Sequence, residues 1–289
     1  MRASLLSMTT IALKNNLPAV RLSNDTHTCD IYQHGAHVTS WRVNATQEEL
    51  LFCSGEAMFD GAKAIRGGIP ICFPQFSDMG PCEAQHGFAR NTQWDVKTLA
   101  ATSVTMRLDA SAVSAAASKG FSGTYALEYT VALEGERLRT TLRVENNASD
   151  SPLEFTTALH TYFAVAECSR SAVRGLRGAT YLDNLERRVP KQDDDECVRF
   201  NCEVDRIYKS TVDALVIEDE VKGRKFTIDK TSTLPDAVVW NPWIEKAAKM
   251  GDFGNEEYHN MVCVEVANVQ GVVVPAGQSW EASQTISYV

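Results

Sequence analysis

The sequence has no CxxC pair, no long apolar run and little helical periodicity, and it is short of positive charge. Its 28 Lys and Arg are outnumbered by 37 Asp and Glu, a formal net charge of −9. A field of that sign repels nucleic acid and anionic membrane, so neither is expected as a partner. It repels small anions as well, and an anion site here has to come from a local cluster of arginines. Eight cysteines are present, and the closest two, Cys197 and Cys202, are five apart. Several sit inside apolar runs, as Cys72 does in IPICFP and Cys263 in MVCVEV. Free thiols in a reducing compartment fit this pattern better than a disulfide framework, and no metal-ligand spacing accompanies it.

The opening stretch MRASLLSMTTIAL is too short and too polar for a membrane span and matches a signal peptide weakly. Met8 is an alternative start, and the closing SYV is no peroxisomal tripeptide. The expectation is a cytoplasmic protein whose 289 residues form a single domain, with residues 1–17 as a loosely ordered extension.

Alternation with period two dominates. VTMRLDA (104–110), YALEYTVAL (125–133), LRTTLRVEN (138–146), LEFTTALHTYF (153–163), DALVIED (213–219), KFTIDK (225–230), DAVVWN (236–241), MVCVEVANV (261–269) and EASQTISYV (281–289) read as strands. Turn formers separate them, including NNASDSP, KGR and PAGQS. Two stretches predict helix: SAVSAAASK (111–119), and NPWIEKAAKM (241–250) with Asn241 as cap, Pro242 at the first helical position and Gly251 as the stop. Many strands with few short helices predict an all-β fold, a large antiparallel β-sandwich.

Some residues break the strand patterns. In LEFTTALHTYF, Leu153, Phe155, Leu159 and Phe163 share one face, and His160 lies on the other beside Thr156, Ala158 and Tyr162. That face suits the floor of a ligand cleft, or a solvated sheet surface. In MVCVEVANV, Glu265 sits in a nearly unbroken apolar run. Burial of a carboxylate is costly without a partner or a task, and it raises the pKa toward that of a base useful near neutrality. A structural ion pair accounts for the same pattern. Arg66 opens RGGIPICFPQF, where two prolines exclude helix and predict a rigid, extended, half-buried loop. QHGFARNTQW carries His86 and Arg90. The two arginines read either as an anion fork or as partners of surface carboxylates. DDDE (193–196) reads as a solvated loop without the spacing of a calcium site, and His34 and His37 of HGAH read as turn and core residues.

Taken in order, RGGIPICFPQF, HGFAR, ALHTYF, EVDRIY (203–208), VVWNPW (238–243) and VCVEVANV resemble the hexose-6-phosphate mutarotases, the glucose-6-phosphate 1-epimerases, within the galactose mutarotase-like superfamily. The resemblance runs from about residue 18 to the C-terminus. It implies a β-supersandwich holding a sugar in a cleft on one sheet. Carried over position by position, it implies that His160 and Glu265 are catalytic. Arg66, Gln85 and Arg90 become substrate contacts, Asp205 a ligand of a sugar hydroxyl, and His86 a lining residue. Ser77 departs from the pattern, standing after FPQF where glycine is expected.

The implied reaction interconverts α and β anomers by opening and reclosing a cyclic hemiacetal. It needs one acid and one base, expected about a sugar ring apart, and no metal or redox cofactor. The expected partner is a small-molecule sugar phosphate and the expected state a monomer. The alternatives are an aldose 1-epimerase of unphosphorylated sugars and a non-catalytic carbohydrate-binding sandwich. Hydrolysis of a glycoside calls for a second carboxylate, for which Asp205 is the candidate.

Overall fold

A computed structural model describes residues 11–289. The described chain is almost entirely antiparallel sheet, organised as three sheets. The first has four strands, Ile11–Ala12, Pro18–Ser23, His27–Tyr32 and His37–Val43, in sequence order. A nine-stranded sheet runs from Val198–Arg199 through Arg224–Lys230 and Ser279–Tyr288 to Asp95–Leu99. The third has eight strands, and its centre carries the site. There Val204–Lys209, Asp236–Asn241, Met261–Val274 and Leu153–Leu159 lie side by side.

The main apolar core takes residues from all three sheets. Phe163 of the eight-stranded sheet meets Phe226 of the nine-stranded sheet at 5.1 Å, and Phe155 meets Trp280 edge-on at 5.4 Å. The alternation read in LEFTTALHTYF is what builds this layer, because Leu153, Phe155, Leu159 and Phe163 all enter the core. The opposite face of the same sheet is covered by a second, smaller cluster that includes Cys72, Ala158, Val238 and Ala267.

Several elements depart from the sequence reading. Residues 111–119 form no α-helix: a single 3-10 turn, Ala110–Ala112, is followed by hydrogen-bonded turns. With serines at 111, 114 and 118, the stretch satisfies its backbone locally, as in the Ser114 Oγ contact to the Ala117 N–H at 3.2 Å. The second predicted helix is real but short, Trp243–Ala247, and Pro242 occupies the capping position. Asn241 still caps it, its Oδ1 accepting the Trp243 N–H at 2.9 Å. Asn241 is the last residue of a buried strand, so the helix cannot extend backward.

The RGGIPICFPQF segment is more deeply placed than expected. Apart from Arg66 it is buried throughout, and Ile71–Cys72 pairs with Leu159 and Ala158 as an edge strand. Asp193 is also buried, because its carboxylate accepts the Tyr208 hydroxyl at 2.6 Å and stands 3.6 Å from Arg206. Of the expected N-terminal extension, residues 1–10 lie outside the described residues. Residues 11–17 are folded onto the first sheet, where Leu13 and Leu17 pack near Tyr32 and Phe59. All eight cysteines are free thiols, five of them buried.

Phe163 has no exposed surface. Phe163→Ala should cost about 3–5 kcal/mol of unfolding free energy in urea titration. A loss under about 1 kcal/mol would show that the two large sheets do not depend on this contact.

Candidate active site

Strand register brings the pattern-breaking residues together. Val238 is the cross-strand partner of Glu265, Trp240 that of Asp205, and Ala158 that of Ala267. Directly opposed residues share a face, and so do residues two apart in a strand. Asp205, Trp240, Val238, Glu265 and Ala158 therefore line one face, and His160 continues it just beyond the end of Leu153–Leu159. All of these but Ala158, with Arg66, Ser77, Gln85, His86 and Arg90, line a cavity of about 220 Å³. Every site residue expected from the sequence lines it.

His160 and Glu265 are in contact at the floor. The His160 Nε2 lies 3.4 Å from the Glu265 Oε1, and the two residues are 7% and 1% exposed. This corrects the expectation of an acid and a base a sugar ring apart. The remaining polar atom of each, His160 Nδ1 and Glu265 Oε2, is buried without a hydrogen-bond partner among the described residues. Burial drives the Glu265 pKa well above the ordinary carboxylate value, with the Asp205 charge adding to the effect and Arg90 opposing it. Burial drives His160 well below the ordinary histidine value, reinforced by Arg90 and Arg66. The His160 imidazole stacks on Tyr162 at 4.8 Å and meets the Trp240 ring edge-on at 6.0 Å. Its backbone N–H is tied to the Pro70 carbonyl at 3.0 Å.

His86 approaches from a loop. It holds a left-handed φ of 64°, and its Nδ1 accepts the Ser77 N–H at 3.1 Å, with the Cys72 thiol at the same distance. Burial lowers its pKa well below the usual value, and Arg90 and His160 push the same way. The ring is therefore neutral, and with Nδ1 accepting, its one N–H is Nε2. Ser77 stands at a φ of 54°, the left-handed region that explains why glycine was expected there.

The two arginines are held differently. Arg66 reaches Asp252 through Nε at 3.2 Å and Nη2 at 3.1 Å, and the Tyr162 hydroxyl through Nη1 at 3.2 Å. Its backbone is seated by the glycines that follow. A Cβ at Gly67 would lie 2.4 Å from the Cys53 Cα, and one at Gly68 2.0 Å from the Val38 carbonyl oxygen, so no side chain fits either position. The buried His37 fixes the same turn by donating from Nε2 to the Gly67 carbonyl at 2.7 Å, and burial depresses its pKa to about 3.

Arg90 has no carboxylate within ion-pair distance among the described residues. It donates from Nη2 to the Gln85 carbonyl at 3.0 Å, and its Nε is buried and unpartnered. Burial lowers its pKa, which marks a half-buried, partly desolvated cation.

On the far wall, Asp205 accepts from Asn184 Nδ2 at 2.6 Å and lies 3.4 Å from the Lys246 Nζ. Asn184 and Lys246 escaped the sequence reading. Asn184 follows a strand with no marked pattern. Lys246 carries no signal beyond its place on the short helix Trp243–Ala247. Asp252 was missed too, since only the folded chain sets it against Arg66. Trp240 stood in a quoted motif without an assigned role.

The model of the family described as aldose 1-epimerase matches residues 18–287. The chain belongs to the aldose 1-epimerase family. A Cenchrus ciliaris relative named "putative glucose-6-phosphate 1-epimerase" is 38% identical over 270 residues, 90% of this chain and 81% of the relative. An Escherichia coli K12 relative of the same name is 33% identical over 237 residues, 81% of this chain and 77% of its own. Among solved structures, a Salmonella typhimurium protein described as a "putative mutarotase (YeaD)" superposes with a TM-score of 0.82. It is 26% identical and covers 94% of this chain and 90% of its own. This family membership agrees with the sandwich of opposed sheets. Among the described residues, no helix is long and apolar enough to cross a membrane.

The desolvated carboxyl makes a sign-definite prediction for Glu265→Gln. A folded-state pKa raised above the ordinary 4.5 contributes stability that is fully present below that value and is lost as pH rises toward the folded pKa. Urea unfolding should show the variant gaining on the wild type steadily as pH climbs above about 4.5. A stability difference independent of pH would count against a desolvated carboxyl.

Proposed function

We propose that this protein interconverts the α and β anomers of hexose 6-phosphates, glucose 6-phosphate chief among them, by ring opening and reclosure. The observation that carries the reading is a buried carboxyl–imidazole pair at 3.4 Å on the floor of a cavity whose wall includes a partly desolvated arginine with no carboxylate partner among the described residues. The names borne by the Cenchrus ciliaris and Escherichia coli relatives agree with it. The protein acts as a cytoplasmic monomer on a small sugar phosphate.

Glu265 takes the proton of the anomeric hydroxyl. The C1–O bond to the ring oxygen breaks, and that oxygen receives a proton from His160. The open-chain aldehyde turns about C1–C2. The carbonyl then accepts the hydroxyl on its other face, His160 reclaiming the proton and Glu265 returning the one it took. The anomeric oxygen and the ring oxygen are bonded to the same carbon. An acid and a base within 3.4 Å of each other therefore suit the two transfers better than groups a ring width apart.

His160 is the acid of this scheme, although its surroundings disfavour the cation. A phosphate dianion neutralises the Arg66 and Arg90 charges that oppose protonation. Binding the phosphate thus favours the charged acid. Asp205, held by Asn184 and Lys246, accepts from sugar hydroxyls, and the His86 Nε2–H donates to another oxygen of the sugar. A free hexose leaves Arg90 desolvated and unpaired, which disfavours it as the substrate.

The deciding experiment is exchange NMR of α-to-β equilibration at neutral pH, with glucose 6-phosphate against free glucose. Strong acceleration of the phosphate alone is expected, and acceleration of neither sugar would dispose of the proposal. Glu265→Gln should lower kcat about 10²–10⁴-fold, and full turnover in that variant would remove Glu265 from the mechanism. Arg90→Ala should raise KM for glucose 6-phosphate about 10–100-fold, the worth of one charge-assisted contact. Equal losses with free glucose would rule out its phosphate role.

A further inference from the structure

His160 is held in an uncommon way for a residue that must deliver a proton to one atom. Its Nδ1 has no hydrogen-bond partner among the described residues, and its Nε2 has only the Glu265 carboxyl at 3.4 Å. A histidine in acid–base work is ordinarily aimed by a hydrogen bond at its second nitrogen. Without that bond, rotation of the ring about its link to Cβ has to be stopped by packing.

Tyr162 supplies the packing. Its ring lies 4.8 Å from the His160 imidazole at an interplanar angle of 10°, a parallel stack. Trp240 meets both rings edge-on, at 6.0 Å from His160 and 5.9 Å from Tyr162, and His86 closes another side of His160 at 5.4 Å. A parallel stack fixes the plane of the imidazole, because a turn about χ2 drives its edge into the tyrosine face. Tyr162 is itself firmly seated. It is buried, and Phe52 backs it at 6.5 Å in a second stack. Its N–H donates to the Gly68 carbonyl at 2.9 Å, and its own carbonyl accepts the Phe52 N–H at 3.0 Å. Its hydroxyl accepts from Arg66 Nη1 at 3.2 Å. Tyr162 does not line the site cavity, so it acts on a bound sugar only through His160 and Arg66.

Resting on the reading of His160 as the acid, we infer that Tyr162 is a positioning residue for the reaction. Its ring sets the plane in which His160 presents Nε2 to Glu265 and to the sugar. The hydroxyl is separable from this role, since it serves Arg66. A misaimed acid slows the proton transfer and leaves the contacts that hold the sugar in place, so the contribution of the ring falls on kcat.

The test compares Tyr162→Phe, which keeps the flat face, with Tyr162→Met, which fills the space without one. Both variants lose the hydroxyl, so any effect passing through Arg66 is common to them and their difference in kcat isolates the ring. With glucose 6-phosphate, Tyr162→Met should have a kcat about 10–100-fold below that of Tyr162→Phe, the two KM values agreeing within about threefold. Tyr162→Phe should keep kcat within about threefold of the wild type. Equal kcat in the two variants, with an active wild type, would overturn the role of Tyr162 and leave the mutarotase reading intact. A wild type that accelerates no sugar phosphate would overturn both. Circular dichroism checks that the variants fold. If Tyr162→Met does not, proton NMR of the wild type decides. The ring protons of His160, assigned by their loss in His160→Gln, should be displaced upfield by the tyrosine face, and undisplaced positions would overturn the inference.

Discussion

A carboxyl group without solvent, set in the middle of an antiparallel sheet, governs the rest of this structure. Glu265 is flanked in its strand by Val264 and Val266, both buried, and faces Val238 across the ladder. Ionising it there costs several kcal/mol unless something nearby compensates. The Arg90 charge opposes that cost, and His160 stands 3.4 Å from the carboxyl. Burial drives the two groups in opposite directions, the carboxyl up and the imidazole down. A raised carboxyl pKa makes the ionised group a stronger base. A solvated carboxyl would not be raised in this way.

Keeping the pair dry and in register falls to the surrounding framework. The central strands fix which side chains share a face. The stretch from Gly67 to Cys72 closes one side by pairing with the strand that leads into His160. That stretch fits only because Gly67 and Gly68 bring the backbone against Cys53 and Val38 where a Cβ cannot go. Arg66, which precedes them, is held by Asp252 and Tyr162. Packing and recognition are thus served by one short segment, and damage to it would register in both.

Much of this was legible in the residues. Period-two alternation exposed the sheets and told the core face of Leu153–Leu159 from the site face. His160 and Glu265 stood out because they violate that alternation, and a violation in a buried strand has a physical cost. Asn184, Lys246 and Asp252 broke no pattern. Polar residues on irregular backbone are unremarkable until the fold reveals what they touch. The stretch 111–119 misled because alanine favours helix while its interspersed serines satisfy the backbone in turns. Asp193 misled because a run of acidic residues reads as solvated, and its partner Tyr208 lies 15 residues away.

What the sequence determined by itself was the architecture and the chemical types at the site. Strand periodicity, turn residues and the order of the motifs are local properties, and they survive without coordinates. What only the tertiary structure decided was distance and charge state. That His160 and Glu265 touch, and that Arg66 is engaged by Asp252 while Arg90 has no such partner among the described residues, are facts about segments far apart in the chain. Register between strands and the exclusion of water set them, and neither can be read from any one stretch of residues.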